Sequence, residues 1–175
     1  MKSEITDKRK CCGCAACMNI CPKGCITMES DREGFLYPVI RYSECENCQM
    51  CTSVCQSNVF SRVINTDRHP KVIAAISKEE TSLQNSTSGG IAFVLSKCII
   101  EKGGEVWGAA YDRGLNVRHI CVSDISDLYK LQKSKYVQSD LGYAYRQIRQ
   151  SLRGGGGSFF HWNALSGRRI VSFPG

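Results

Sequence analysis

The clearest helical spacing of apolar residues lies in the second half of the chain. Its apolar positions are Ile91, Val94, Leu95, Cys98 and Ile99. Their i, i+3, i+4, i+7, i+8 pattern predicts a helix that turns this face toward a core. The glycine pair at 103–104 predicts the end of the helix.

Strand patterns alternate with helical patterns around that helix. The predicted strands are 71–77 (K-V-I-A-A-I-S), 105–111 (E-V-W-G-A-A-Y) and 117–123 (V-R-H-I-C-V-S). The last two strands are joined by the turn D-R-G-L-N. The other predicted segments are a polar loop at 78–85, a helix over 124–133, an extended stretch over 134–139 and a helix over 140–152. This alternation predicts an α/β or α+β layer domain.

The first part of the chain has a different organisation. Residues 29–44, with E-G-F-L-Y-P-V-I at 33–40, predict a hairpin. The polar stretch 65–70 (N-T-D-R-H-P) ends in proline and predicts a linker. We therefore expect one domain over residues 1–64 and a second over residues 71–153.

Cysteine use is the most informative part of the composition, with 12 cysteines in 175 residues. Two runs share the spacing Cys-x2-Cys-x2-Cys-x3-Cys. They are Cys11, Cys14, Cys17 and Cys21, then Cys45, Cys48, Cys51 and Cys55. This spacing suits cubane 4Fe–4S clusters, because three thiolates on a tight loop bind one cluster and the fourth is carried to the other. We therefore expect Cys55 to complete the first cluster and Cys21 to complete the second.

Zinc and disulfides are the alternatives. Zinc takes four ligands, usually as two separated pairs, so two consecutive runs of four suit it poorly. A disulfide framework is expected in secreted proteins, and the charged residues 1–7 contain no apolar signal segment. The two runs resemble the bacterial-type two-cluster ferredoxin domain, with Gln56 in place of the usual proline after the second run.

A domain of about 60 residues buries little apolar surface. The clusters are therefore expected to supply much of its stability, and the first 64 residues are expected to be unfolded without iron.

The formal net charge of +7 does not indicate a nucleic-acid partner. Ligand thiolates add about −8 and two oxidised cluster cores return about +4, which leaves roughly +3. No basic stripe with interleaved aromatic residues is present. No apolar stretch reaches the length of a membrane span. Clustered reduced cysteines without a signal peptide predict a cytoplasmic protein.

The segment 85–91 (N-S-T-S-G-G-I) places hydroxyls and glycines at the start of the predicted helix. A helix N-terminus has free N–H donors and partial positive charge, which suits a phosphate of a nucleotide or flavin. The same residues also make a good N-cap with a tight entry. On these residues alone, the cap is the simpler interpretation.

Three motifs extend the argument to a family. N-S-T-S-G-G-I, G-G-E-V-W-G-A-A-Y and S-K-Y-V-Q-S-D-L-G resemble the beta subunit family of coenzyme F-420 hydrogenases and dehydrogenases. Many members carry a two-cluster ferredoxin domain in front, and the resemblance covers residues 10 to about 152. It implies a flavin that exchanges electrons with the iron–sulfur clusters and with an organic acceptor. The residues that would line the flavin or substrate pocket by this resemblance are Ser86, Ser88, Gly89, Gly90, Lys135, Tyr136 and Gln138.

The composition changes after Arg153, where four glycines precede S-F-F-H-W-N-A-L-S-G-R-R-I-V-S-F-P-G. The family continues there with a motif of the type F-T-G-T-P-C-Q-V-A-G-L. Codons can be chosen for residues 157–175 such that the next reading frame encodes that motif. We therefore predict a truncated, frameshifted member with an aberrant, poorly packed tail at 154–175, which makes flavin binding by this chain doubtful. A Gly-rich linker with a novel tail is the alternative.

The remaining cysteines are Cys12, Cys25, Cys98 and Cys121. Cys98 and Cys121 are expected to be small core residues. Cys25 occupies a position that suits a small apolar residue. Cys12 as a ligand in place of Cys11 would alter the gaps of the run. His119 is expected to be a hydrogen-bonded structural residue.

These features predict an iron–sulfur electron-transfer module of a cytoplasmic oxidoreductase, which relays single electrons toward a flavin site. Its expected partners are redox proteins and a flavin or deazaflavin. The alternative is a flavin-dependent reductase or dehydrogenase that acts on coenzyme F-420 or another organic substrate. No catalytic residue is predicted. The predicted fold class is α+β: a ferredoxin-like two-cluster domain followed by an incomplete α/β layer domain.

Overall fold

Short helices and one hairpin make up the first part of the chain in the computed structural model, which describes residues 5, 7–59, 71–155 and 158–160. The chain divides into two units, Met1–Pro70 and Lys71–Gly175. The elements of the first unit are a 3-10 turn at Lys8–Lys10, α1 at Ala16–Ile20, β1 at Ile26–Ser30, β2 at Leu36–Ile40, α2 at Met50–Val54 and α3 at Gln56–Val59. The predicted linker at 65–70 lies outside the described residues.

The predicted hairpin is confirmed. β1 and β2 pair antiparallel, with Ile26 opposite Ile40 and Ser30 opposite Leu36. Asp31 closes the turn, because its Oδ1 accepts hydrogen bonds from the N–H groups of Glu33 and Phe35. Such a local side-chain cap is a common use of aspartate in turns.

The second unit mixes helices with a small sheet. Its elements are α4 at Glu80–Gln84, α5 at Ile91–Glu101, β3 at Glu105–Tyr111, β4 at Val117–Val122, a 3-10 helix at Ile125–Leu131, α6 at Ala144–Arg153 and β5 at Ser158–Phe160. The strand order is β4-β3-β5. β3 runs antiparallel to β4 and parallel to β5. The molecule therefore has the mixed helix and small-sheet character that was predicted.

A small apolar core lies between α5, the 3-10 helix and one face of the sheet. Its buried members are Val106, Ala110, Val122, Leu128 and Leu131. Phe93, Ile99 and Ile100 of α5 pack against them. The predicted face of α5 is therefore confirmed at Ile99 and wrong at Val94, Leu95 and Cys98, which are exposed. The helix is apolar nearly all round, so two faces satisfy the spacing rule.

Predictions for two residues of β4 have opposite outcomes. Cys121 is exposed, so its prediction as a core residue is wrong. It lies near the end of β4, on the same face of the strand as the buried Val117 and His119, so burial on that face stops before residue 121. His119, two positions earlier, is buried, and its Nδ1 lies 2.8 Å from the Ser139 hydroxyl, as expected of a structural histidine.

The predicted strand at 71–77 is wrong. Residues 71–76 are exposed and belong to no sheet, with Val72 89% and Ile73 70% exposed. The two neighbouring positions beside β3 are already taken by β4 and β5. An apolar β-branched run forms a strand only where a partner strand is available to it.

Three boundaries in the second unit also differ from prediction. The stretch predicted as a polar loop contains α4, and the helix predicted over 124–133 is a 3-10 helix capped by Asp124, whose side chain accepts from the Ser126 N–H. The last helix begins at Ala144, not at residue 140. Asp140 instead pairs with the β4 backbone, since its N–H donates to the Val117 carbonyl. The residues between 134 and 139 have no regular structure.

Part of the predicted aberrant tail lies within the described residues. Residues 158–160 form β5, which pairs with β3 from Glu105 to Trp107. An open strand edge accepts any extended segment that reaches it, since its backbone groups are otherwise unpaired. The remaining tail residues, 156–157 and 161–175, lie outside the described residues, and the out-of-frame origin stays a prediction.

Among the described residues, no helix is both long and apolar enough to cross a bilayer.

Truncation of a side chain in the core of the second unit is expected to lower its stability. Leu128 is 1% exposed at the centre of that core, so Leu128→Ala is expected to lower the free energy of unfolding by about 2–5 kcal/mol. Leu95→Ala, on the exposed face of α5, is the matched control and should change it by less than about 0.5 kcal/mol. Urea unfolding followed by the fluorescence of buried Trp107 measures both. Equal losses in the two variants would contradict the described core.

Candidate metal centre

The first cysteine run folds as a loop that turns directly into a helix. Gly13 and Ala15 both have left-handed backbone conformations, with φ of 66° and 54°. Cys17 lies within α1, and Cys21 follows it in an extended conformation with φ −62° and ψ 115°. The loop and helix thus present the first three thiols on one side, and the chain then carries the fourth away.

The second run repeats this backbone closely. Asn47 and Gln49, the counterparts of Gly13 and Ala15, have φ of 55° and 63°. Cys55 follows α2 with φ −64° and ψ 118°. Left-handed residues other than glycine are uncommon and concentrate at functional sites. The shared conformation indicates that both loops are shaped for the same task.

The thiols gather around two separate cavities. Cys11, Cys12, Cys14, Cys17 and Cys55 line the first. Cys21, Cys25, Cys45, Cys48 and Cys51 line the second. In each case the last cysteine of one run therefore lies with the first three of the other. All eight residues predicted as ligands line one of these two cavities, in the grouping that the spacing predicts.

Apolar side chains complete both cavities. Ile5, Met28 and Pro38 contribute to the first, while Ile26, Ile40 and Met50 contribute to the second. The hairpin thus covers both sites, because residues of β1 and β2 reach each of them. Such a shell limits solvent access, which influences the reduction potential of a metal site.

Backbone N–H groups are directed at the sulfur atoms. Those of Gly13, Ala16 and Met18 contact the thiols of Cys11, Cys14 and Cys17. The N–H of Asn47 donates to Cys45 Sγ over 3.4 Å. Donors of this kind stabilise thiolates and influence the reduction potential of the clusters they surround. They follow from the left-handed loop conformation, which turns successive N–H groups inward.

N–H donors favour the thiolate form of a cysteine, whereas burial disfavours it. Burial raises the pKa of Cys17 to about 11, although the Met18 N–H opposes it. Ligating sulfurs are thiolates, so metal loading must release these protons. Loading is therefore favoured as the pH rises.

A single ion and a cluster place different demands on the thiols. A tetrahedral zinc with Zn–S bonds of about 2.3 Å needs its thiols within about 4 Å of one another. Within the ranges 5, 7–59, 71–155 and 158–160, no three Cys, His, Asp or Glu side chains are arranged to hold a single metal ion. A cubane cluster binds each thiolate to a different iron, so its ligands stand farther apart around a shared space. Five thiols line each cavity, and four of the five belong to the two predicted ligand runs.

The comparisons with known proteins agree with the geometry. Residues 10–59, which include both runs, match the family described as the 4Fe-4S dicluster domain. The sequence is 38% identical over 57 residues to an uncharacterized ferredoxin of Methanocaldococcus jannaschii, which is 71% of that ferredoxin and 32% of this chain.

The chain belongs to the 4Fe-4S dicluster ferredoxins. It therefore carries an iron–sulfur domain of the kind that transfers electrons. The similarity covers about a third of the chain, so it identifies the cysteine-rich part of this ferredoxin and leaves the second unit to be interpreted from its own structure.

The second unit of the ferredoxin contains a cavity of about 260 Å³ at the start of α5. Of the residues predicted for a flavin or substrate pocket, Ser86, Ser88, Gly90 and Lys135 line it. The remaining three, Gly89, Tyr136 and Gln138, are not among its lining residues. Residues that the prediction did not include complete the wall, among them Thr87, Phe93, Ser96, Leu128, Gln132 and Ser134.

Two charged residues, Lys133 and Lys135, line this wall, and the pocket prediction included Lys135. Lys135 is buried, and its Nζ donates to the backbone carbonyls of Lys130 and Gln132. Burial lowers the pKa of its ammonium group. Its expected role as a pocket residue fits this position, whereas Tyr136 beside it is exposed.

Cys25 is the site residue whose surroundings the sequence did not predict. It is 1% exposed, and its Sγ lies 3.4 Å from Cys21 Sγ. The available signal was the four-residue separation from Cys21 across a glycine. Gly24 has φ of 62°, and its N–H donates to the Cys21 carbonyl, so the chain turns back toward the ligand.

Proposed function

We propose that this ferredoxin binds two 4Fe–4S clusters and relays single electrons between redox partner proteins. Cys11, Cys14, Cys17 and Cys55 would hold the first cluster, and Cys45, Cys48, Cys51 and Cys21 the second. The observation that carries the proposal is the exchange of the fourth cysteine between the two cavities. This exchange is the arrangement that the spacing requires in two-cluster ferredoxins.

The protein supplies the binding and the environment of the clusters. A bound 4Fe–4S cluster accepts and returns one electron at a time. Three thiols of each run are positioned by a left-handed loop and a short helix, while apolar residues of the hairpin cover part of both cavities. Cys48 is exposed, so the second site reaches the surface, where a partner protein could deliver or remove an electron.

The reductive capacity of the full-length protein tests this function. After anaerobic reconstitution, titration with dithionite should consume two electrons per chain, with broad visible absorbance that bleaches on reduction. A protein that accepts no electrons in this titration would contradict the proposal. A cytoplasmic location belongs to the same proposal and is supported by thiols that need a reducing compartment.

We propose as a second function that the other unit accepts a flavin, as the resemblance to the coenzyme F-420 hydrogenase and dehydrogenase beta subunits implies. The cavity at the start of α5 supports it, since Ser86, Ser88 and Gly90 there surround a helix N-terminus suited to a phosphate. A flavin would exchange single electrons with the clusters and two electrons with an organic substrate such as coenzyme F-420. The chain would then form part of an oxidoreductase.

A matched pair of substitutions tests the flavin site. Ser88→Asp adds a negative charge at the cavity and should weaken FMN binding at least about tenfold, because it repels the phosphate, while the helix N-terminus tolerates the carboxylate. Ser123→Asp adds the same charge at an exposed position outside the cavity lining and should leave binding unchanged. Fluorescence titration with FMN measures both. Failure of the unsubstituted protein to bind FMN, or equal weakening in both variants, would contradict the site.

A further inference from the structure

The second cavity contains a fifth thiol that the ligand pattern does not use. Cys25 lines this cavity together with Cys21, Cys45, Cys48 and Cys51. Its side chain is 1% exposed, and its Sγ lies 3.4 Å from Cys21 Sγ, within hydrogen-bond distance for two sulfur atoms. From this position, the buried Cys25 thiol can donate a hydrogen bond to the sulfur of Cys21.

The backbone holds Cys25 in place on both sides. Its carbonyl accepts a hydrogen bond from the Arg41 N–H over 2.8 Å, which extends the hairpin ladder by one position. The preceding Gly24 carbonyl accepts from Arg41 Nη2 over 3.0 Å. Because β1 begins at the next residue, Ile26, the backbone on both sides of Cys25 is ordered, and the buried thiol contacts Cys21 and Cys45, both predicted ligands of the second cluster.

We propose that Cys25 donates an S–H hydrogen bond to the Cys21 thiolate and thereby raises the reduction potential of the second site. This inference rests on the proposed function, in which Cys21 is a cluster ligand. A ligating sulfur carries no proton, so the hydrogen atom shared by this pair belongs to Cys25. A donor aimed at a ligand sulfur stabilises the extra negative charge that arrives with an electron, and hydrogen bonds to ligand sulfurs are an established determinant of cluster potential.

The first site has a corresponding thiol with a different environment. Cys12 contacts the Cys14 side chain, but Cys12 is exposed. Water competes for an exposed donor and screens its charge, whereas a donor in a buried site acts at lower dielectric. The burial of Cys25 therefore makes the two sites unequal. The contact with Cys25 thus raises the potential of the second site above the value that this site would have without it.

Replacement of Cys25 in the full-length, reconstituted protein tests this inference. Iron content is measured first, and the two one-electron couples are then resolved by an anaerobic redox titration followed by electron paramagnetic resonance. In Cys25→Ala, the ratio of reduced to oxidised sites at a fixed potential should fall about tenfold for one of the two couples and stay unchanged for the other, which corresponds to a shift of about 59 mV. Cys25→Ser keeps a donor and should recover most of this loss. Cys12→Ala should change its own couple less than about twofold.

Each outcome decides the inference. It is overturned if both couples of Cys25→Ala match those of the unsubstituted protein, or if Cys12→Ala has an effect as large. Loss of iron from Cys25→Ala or Cys25→Ser also overturns it, because a donor to a ligand is not itself needed to hold iron. Absence of two couples from the unsubstituted protein would instead contradict the proposed function.

Discussion

Removal of iron is expected to unfold the first unit of this ferredoxin while the second unit stays folded. In the described part of that unit, the buried hydrophobic side chains other than cysteine are Ile5, Ala15, Met18 and Ile26. Its helices have four or five residues, too few for stability on their own, and a two-stranded hairpin is marginal in water. Structural metal binding contributes on the order of 10 kcal/mol in small metal-dependent domains.

Nuclear magnetic resonance of uniformly labelled protein measures this effect for each unit separately. After chelation under reducing conditions, amide signals of residues 7–59 should collapse into the narrow range of an unfolded chain. Signals from β3 and β4 should stay dispersed, because the core around Leu128 contains no metal ligand. A dispersed spectrum for the first unit without iron would show that its own packing suffices.

Removal of single ligands is expected to abolish one cluster at a time, in pairs that cross between the two runs. Cys14→Ala and Cys55→Ala should each cost about four of about eight irons, and the double variant should cost no more than either single one. Cys14→Ala combined with Cys21→Ala should cost nearly all iron, because these cysteines line different cavities.

The alternative arrangement predicts the reverse. If each run held its own cluster, Cys14→Ala with Cys21→Ala would cost only four irons, and Cys14→Ala with Cys55→Ala would cost about eight. Cys98→Ala is the control, since Cys98 is exposed in the second unit and should not affect the iron content. Iron analysis of the anaerobically reconstituted variants distinguishes the two arrangements.

The grouping of the cysteines around the two cavities was predictable because it depends on short-range geometry. Three cysteines separated by two residues each fit one loop, and a helix of fixed rise carries the fourth away from it. The β1–β2 hairpin was predictable for a similar reason, since its turn residues and apolar strands are adjacent in sequence. Local rules suffice where the contacts themselves are local.

The remainder depended on contacts that local patterns do not specify. Phe93 and Ile100, rather than Val94 and Leu95, face the core because the sheet lies on their side of α5. Residues 71–76 have strand-like composition but no free neighbour along β3. The contact of Cys25 with Cys21 depends on a left-handed turn at Gly24, which the sequence permits without requiring.

The backbone strain at the site was also beyond prediction. Ala15, Asn47 and Gln49 adopt left-handed conformations that glycine would favour. Each such residue costs roughly 1–2 kcal/mol, and the loops keep it because it directs N–H groups and thiols inward. Bound clusters would offset this cost, which is consistent with a unit that folds only around its metal.

Joint analysis of iron and acid-labile sulfide in the anaerobically reconstituted, full-length protein tests the central claim most directly. Two 4Fe–4S clusters predict about eight irons and about eight sulfides per chain. About four irons would mean that only one cavity is occupied by a cluster. Two zinc ions per chain with no labile sulfide would contradict the account entirely.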